Sequence, residues 1–146
     1  NDILYLSHNL SPYFSEGMKN VTYEIIKQDL LFDHVVLPVG NGSLLLGMYS
    51  AYNSLYKLGI IKKIPKFHGI QSESVSPLYN YFYSLPWNIN QALPTLASGI
   101  AVSNPPRIFE MSETIRKSKG VVMKVKEKDM TYWKNYLSKN NRFFKR

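Results

Sequence analysis

The residues whose types and spacing best suit chemistry are Gly40-Asn41-Gly42-Ser43-Leu44, and the chemistry is anion binding. They follow the apolar, β-branched run His34-Val35-Val36-Leu37-Pro38-Val39 and precede a stretch with helical spacing of apolar residues. Strand, tight turn and helix N-terminus, in that order, bring unpaired backbone N–H groups and the positive end of a helix dipole to one point. Glycines at 40 and 42 permit close backbone approach and a positive φ. Asn41 and Ser43 can add side-chain hydrogen bonds. An ordinary βα turn, with the glycines serving geometry alone, is the other reading. Four features together favour a phosphate cradle: a strand before, a helix after, two glycines, and small polar side chains. No Lys-Ser/Thr closes a Walker-type loop and no G-x-G-x-x-G is present, so a small cofactor's phosphate fits better than a nucleotide's.

Three further segments carry polar groups. Gln71-Ser72-Glu73-Ser74-Val75-Ser76-Pro77 follows a second apolar run. In an open parallel sheet this places it on the same rim as the glycine turn, where ligands bind. It reads equally as the capping sequence of a helix at Pro77. Thr95-Leu96-Ala97-Ser98-Gly99-Ile100 reads as a turn, and nothing physical in it requires a ligand. Lys19 is an amine one turn into a helix, a place that favours a solvated lysine over a catalytic one.

The elements that must position these residues alternate. Ser15 is the expected N-cap of a helix reaching about Leu30. Residues 34–37 form a buried strand. Leu44, Met48, Ala51, Leu55 and Leu58 mark one face of the next helix, stopped by Gly59. Residues 67–71 form a second strand, and Ser76-Pro77-Leu78 opens a short helix. The connection through Pro86, Trp87 and Pro94 is long for a compact domain, so it is functional, mobile or partly helical. A helix from Asn104-Pro105-Pro106 to Lys119-Gly120, a strand at 121–125 and a helix at 128–138 follow. The alternation predicts an α/β fold, a three-layer αβα arrangement with a parallel sheet. Three parallel strands need neighbours on both faces. Phe143-Phe144-Lys145-Arg146 closes no fold, so residues 1–146 read as one domain that is part of a larger fold.

Composition narrows the function. The chain has 146 residues, 45% hydrophobic, with a formal charge of +8. No cysteine is present, which removes disulfides, zinc–thiolate sites and thiol nucleophiles. His8, His34 and His68 lack metal-ligand spacing, so no metal site is expected. No apolar run approaches the ~20 residues that cross a bilayer. The first residues have no basic flank of the kind a signal peptide carries. No membrane partner and a cytoplasmic setting are expected. The positive charge falls in groups: Lys57, Lys62, Lys63 and Lys66 at one helix-to-strand connection, Arg116, Lys117 and Lys119 at a helix end, and Lys139, Arg142, Lys145 and Arg146 in the tail. This grouping favours solvated surface over a nucleic-acid face, although Tyr79, Tyr81, Phe82 and Tyr83 could stack on bases.

In order along the chain, five stretches resemble the threonine synthases, pyridoxal-phosphate enzymes of the tryptophan-synthase β-subunit type (fold type II). Asn9-Leu10-Ser11-Pro12-Tyr13-Phe14-Ser15-Glu16-Gly17-Met18-Lys19 is similar to N-P-x-x-x-E-G-x-K-T, with two extra residues and Asn20 in place of Thr. Pro38-Val39-Gly40-Asn41-Gly42-Ser43 is similar to the P-V-G-N cofactor-phosphate loop, and Gln71-Ser72-Glu73 with Ser76-Pro77 to Q-x-E-x-x-x-P. Thr95-Leu96-Ala97-Ser98-Gly99-Ile100-Ala101 is similar to T-I-A-E-G-I-A, with Ser98 replacing the acidic residue. Val125-Lys126-Glu127-Lys128-Asp129-Met130 is similar to V-S-D-E-E-I. Sister dehydratases carry four glycines at 40–43 and Glu-Pro at 71–72, so threonine synthase is the better match. The resemblance implies the central part of the large, C-terminal cofactor-binding domain, with Gly40, Asn41, Gly42, Ser43 and Leu44 holding the phosphate of pyridoxal phosphate. It implies a lyase of amino-acid biosynthesis, converting O-phosphohomoserine and water to threonine and phosphate. In that family the lysine that bonds the cofactor lies upstream of the matched stretch. The hydroxyl residue that meets the pyridine nitrogen lies downstream, in an E-P-T/S motif. A truncated form inactive on its own, with no catalytic residue and with the possibility that no cofactor is bound, is therefore the expectation. The other reading is a non-catalytic binding or assembly module that pairs with a complete or split partner enzyme. Phosphate or sulfate at the turn, and a second copy or a complementary half, are the expected partners.

Overall fold

The computed structural model describes residues 11–140. Residues 1–10 and 141–146, which include His8, Asn9, Phe143 and Phe144, lie outside the described residues. Three strands, β1 (His34–Pro38), β2 (Lys66–Ser72) and β3 (Val122–Val125), form one parallel sheet in the order β1-β2-β3. Val35 lies beside Phe67, and Gly69 beside Val122. Parallel neighbours cannot be joined by a tight hairpin and need a crossover. Helix α2 (Ser43–Lys57) makes the first, and α3 (Pro77–Phe82) and α4 (Ile108–Lys117) belong to the second.

The crossover helices pack on one face of the sheet. Phe67 is fully buried there, and Tyr49 and Tyr52 of α2 meet its ring edge-on at 5.7 and 5.8 Å. At Gly69 the space a side chain would take is occupied by Ile115 of α4 and Leu78 of α3. Val39, Leu45, Met48, Met111 and Val122 complete this core. Helix α1 (Pro12–Lys27) lies outside α2, and its buried Thr22 hydroxyl donates to the Met48 carbonyl at 3.3 Å.

Successive side chains on a strand point to opposite faces. His34, Val36, His68 and Met123 therefore face away from the crossover helices, and Val36 is 57% exposed and Met123 41%. The strand expected to be buried at 34–37 instead alternates: Val35 is buried, while His34, Val36 and Pro38 are exposed. Among the described residues, no crossover helix covers that side. The architecture is a partial three-layer α/β domain. Helix α5 (Glu127–Lys139) follows β3 and buries none of its residues.

Several boundaries differ from those expected. Helix α1 begins at Pro12 with Ser11 as N-cap, one turn before Ser15, because proline suits the first helical position. It ends at Lys27 instead of Leu30, where Asp29 turns the chain with φ 55°. Helix α4 starts at Ile108, past Asn104-Pro105-Pro106. The long connection is partly helical, through single 3-10 turns at Ile89–Gln91 and Ser98–Ile100. Among the described residues, no helix is long and apolar enough to cross a membrane.

Candidate functional site

Because the three strands run the same way, the residues that follow Pro38, Ser72 and Val125 share one rim. The glycine turn leaves β1 and enters α2 there. Gly42 is the N-cap of α2, at φ 81° and ψ 2°, and the Leu46 N–H donates to its carbonyl at 2.9 Å. Its N-cap is a glycine, which offers no side chain to cap the helix. The N–H groups of its first turn therefore have no acceptor within the helix. A Cβ at Gly42 would stand 2.1 Å from Met111 Sδ, so space and backbone both demand glycine. Gly40 does not share the positive φ expected of it. Its role is close approach: a Cβ there would stand 3.1 Å from Ile100 Cα and 3.2 Å from Val102 Cγ2. Asn41, Ser43 and Leu44 are half-buried beside it.

Gln71 is buried, and both ends of its amide are hydrogen-bonded. Its Nε2 donates to the Val39 carbonyl at 3.1 Å, and its Oε1 accepts from the Tyr79 N–H at 3.1 Å. It ties the end of β1 to α3. Glu73 is exposed. The capping alternative for this segment is not what forms either: Ser76 is the N-cap of α3 but makes no side-chain cap bond. Lys19 pairs with Glu16 one turn away, at 2.6 Å.

Glu127 joins the segments. Its Oε1 accepts from Ser72 Oγ at 2.6 Å and Ser74 Oγ at 3.1 Å, and its Oε2 from the Leu96 N–H at 2.9 Å. Burial pushes its carboxyl up. The bonds from Leu96, Ser72, Thr95 and Ser74 outweigh that and bring it down to about 2. Sequence reading placed Glu127 only at the start of a helix. The pairing of Ser72 with Val125 brings it to the rim, and that contact between residues 55 apart leaves no local trace.

The histidines also come together unannounced by spacing. His34 Nδ1 and His68 Nε2 are 2.8 Å apart, and the rings are stacked at 5.1 Å on the exposed face of the sheet. The Val121 N–H donates to His68 Nδ1 at 3.3 Å, so His68 carries its proton on Nε2 and donates to His34. Burial, His34 and Lys66 hold the His68 pKa below its ordinary value. Among the described residues no three potential metal ligands cluster. Two of the aromatics that could have stacked on bases are engaged: Arg116 lies 4.3 Å over the Phe82 ring and Lys124 4.4 Å over that of Tyr79.

Residues 1–144 match a family model described as "Pyridoxal-phosphate dependent enzyme". The threonine synthase of Methanosarcina acetivorans is 33% identical over 132 residues, a match covering 87% of this chain and 32% of that protein. The chloroplastic threonine synthase 2 of Arabidopsis thaliana is 27% identical, covering 87% and 26%. Maize serine racemase superposes with a TM-score of 0.64 at 17% identity, covering 87% of this chain and 37% of that one, a likeness of fold. The chain thus spans between a quarter and a third of the length of these curated relatives.

Proposed function

Since this chain belongs to the pyridoxal-phosphate-dependent enzymes, we propose that it forms the cofactor-phosphate part of a threonine-synthase-type site. Gly40, Asn41, Gly42, Ser43 and Leu44 are the cradle. The carrying observation is the start of α2: a 15-residue helix entered through a glycine N-cap, Gly42 at φ 81° and ψ 2°. Its first-turn N–H groups and its dipole suit a phosphate dianion. The residues present fit that phosphate. When bound, pyridoxal phosphate supplies an electron sink for amino-acid chemistry. This chain's share is to bind the phosphate through backbone N–H groups and to orient the cofactor along the rim. Residues 1–146 act as one cofactor-phosphate-binding unit of the large domain.

The parent reaction is conversion of O-phosphohomoserine and water to threonine and phosphate, in a cytoplasmic setting. The support is the family match and the threonine synthases among its relatives. Acting alone, these residues are inactive on this reading, because the resemblance assigns no residue here to the cofactor-bonding lysine. A second reading, an assembly module docking on a complementary half or a second copy, is favoured by the exposed sheet face at Val36 and Met123.

Titration with inorganic phosphate, followed by the amide resonances of Gly42 and Ser43, tests the cradle. Millimolar affinity is expected, roughly −4 kcal/mol, and loss of binding in Gly42→Val. Shifts elsewhere with the turn unmoved would reject it. Borohydride reduction with pyridoxal phosphate should trap no site-specific lysine adduct; a stoichiometric adduct at one lysine would refute inactivity.

A further inference from the structure

The segment 95–102 is weakly held. Its 3-10 turn Ser98–Ile100 buries no residue, and Leu96 is 55% exposed. Its backbone bonds from Ile100, Ala101 and Val102 stay within the segment, as does the Ala97 N–H bond to Thr95 Oγ1. Among the described residues, the hydrogen bonds that leave it end on Glu127, from the Leu96 N–H and the Thr95 side chain. The same carboxylate is fixed from the other side by Ser72 and Ser74 at the end of β2. Ser74 is itself held by its N–H bond to Ser72 Oγ at 3.0 Å. Beyond Leu96, the segment runs directly onto the glycine turn, with Ile100 and Val102 filling the space beside Gly40.

We propose that Glu127 is a positioning residue: its carboxylate clasps 95–102 to the rim and thereby sets the wall of the anion-binding turn. This rests on the reading of 40–44 as a phosphate site. Glutamate suits the task because one carboxylate takes several donors at once and charged acceptors make the stronger bonds. A neutral amide of the same shape offers one acceptor oxygen and a donor that faces other donors.

The test compares the whole chain with Glu127→Gln and, as a milder change, Ser74→Ala. Amide exchange at Leu96 and Val102 reads the clasp. Inorganic phosphate titration at Gly42 and Ser43 reads the wall, and the urea midpoint reads global stability. In Glu127→Gln at neutral pH the urea midpoint should fall, exchange at Leu96 and Val102 should rise about tenfold more than at the core amide of Phe67, and phosphate affinity should fall about tenfold. Ser74→Ala should move both readouts the same way by less. Glu127→Asp should recover part of the phosphate affinity. Unchanged exchange at Leu96 and Val102 would overturn the clasp. Raised exchange with unaltered phosphate affinity would overturn its link to the turn and leave Glu127 structural. A wild-type chain whose turn ignores phosphate would overturn the function proposed for 40–44, while exchange still judges the clasp by itself.

Discussion

Tyr52 is 2% exposed, and its hydroxyl is enclosed with no hydrogen-bond partner among the described residues. Its ring pays that cost back by meeting Phe67 edge-on. A buried, unbonded hydroxyl costs about 1–3 kcal/mol. Tyr52→Phe keeps the ring and should raise the urea midpoint, with a gain of about 1 kcal/mol; a fall would reveal a bond to the hydroxyl. Glu127 makes the opposite case, a carboxylate with every oxygen used. Its folded pKa of about 2 lies below the ordinary 4.5. The stability it contributes is therefore present above about pH 4.5 and lost as pH falls toward 2. Thermal midpoints should fall more steeply over that range in the wild type than in Glu127→Gln. Equal slopes would mean that the carboxylate is not bonded in the folded state.

Helices α1 and α2 touch where Gly47 leaves room. A Cβ there would stand 2.3 Å from the Ser15 carbonyl and 2.6 Å from Met18 Cβ. Arg107, the N-cap of α4, holds the start of α1 as well, donating from Nη2 to the Ser11 carbonyl at 3.1 Å and from Nη1 to Ser15 Oγ. Gly47→Ala should cost about 1–3 kcal/mol through overpacking, despite alanine's better helix propensity. An unchanged urea midpoint would mean that α1 is held elsewhere. Sequence reading fared best with elements of this kind. The apolar spacing of Leu44, Met48, Ala51 and Leu55, closed by Gly59 at φ 71°, matches α2, but Leu58 does not belong to that face: it is the C-cap and is exposed. Ser15, a good cap by type, misled the start of α1, which begins one turn earlier at Pro12. At the site, Gly42 was legible because a positive φ selects glycine locally. Gly40 serves the close approach expected of it but not the positive φ, and what approaches it, Ile100 and Val102, is far along the chain and invisible locally. Glu127 and the His34–His68 pair depend on strand register, which no local pattern encodes.

At the scale of the molecule, the sheet has crossover helices on one face and exposed Val36 and Met123 on the other. Helix α5 adds an uncovered cluster of Tyr132, Trp133 and Tyr136. Exposed apolar surface of this extent finds partners. Light scattering on residues 1–146 should give a mass that rises with concentration. A constant mass near 16.9 kDa, with a cooperative thermal transition, would show that these residues close their own core. The parallel order has a temporal consequence as well. β2 is the central strand, yet the partner on its second edge joins it across 53 residues, as in the bond between His68 and Val121. A ribosome adding about 5–20 residues each second needs roughly 3–10 s to cover that distance. For those seconds, one side of β2 is an unpaired edge on the nascent chain, open to the edges of neighbouring nascent chains.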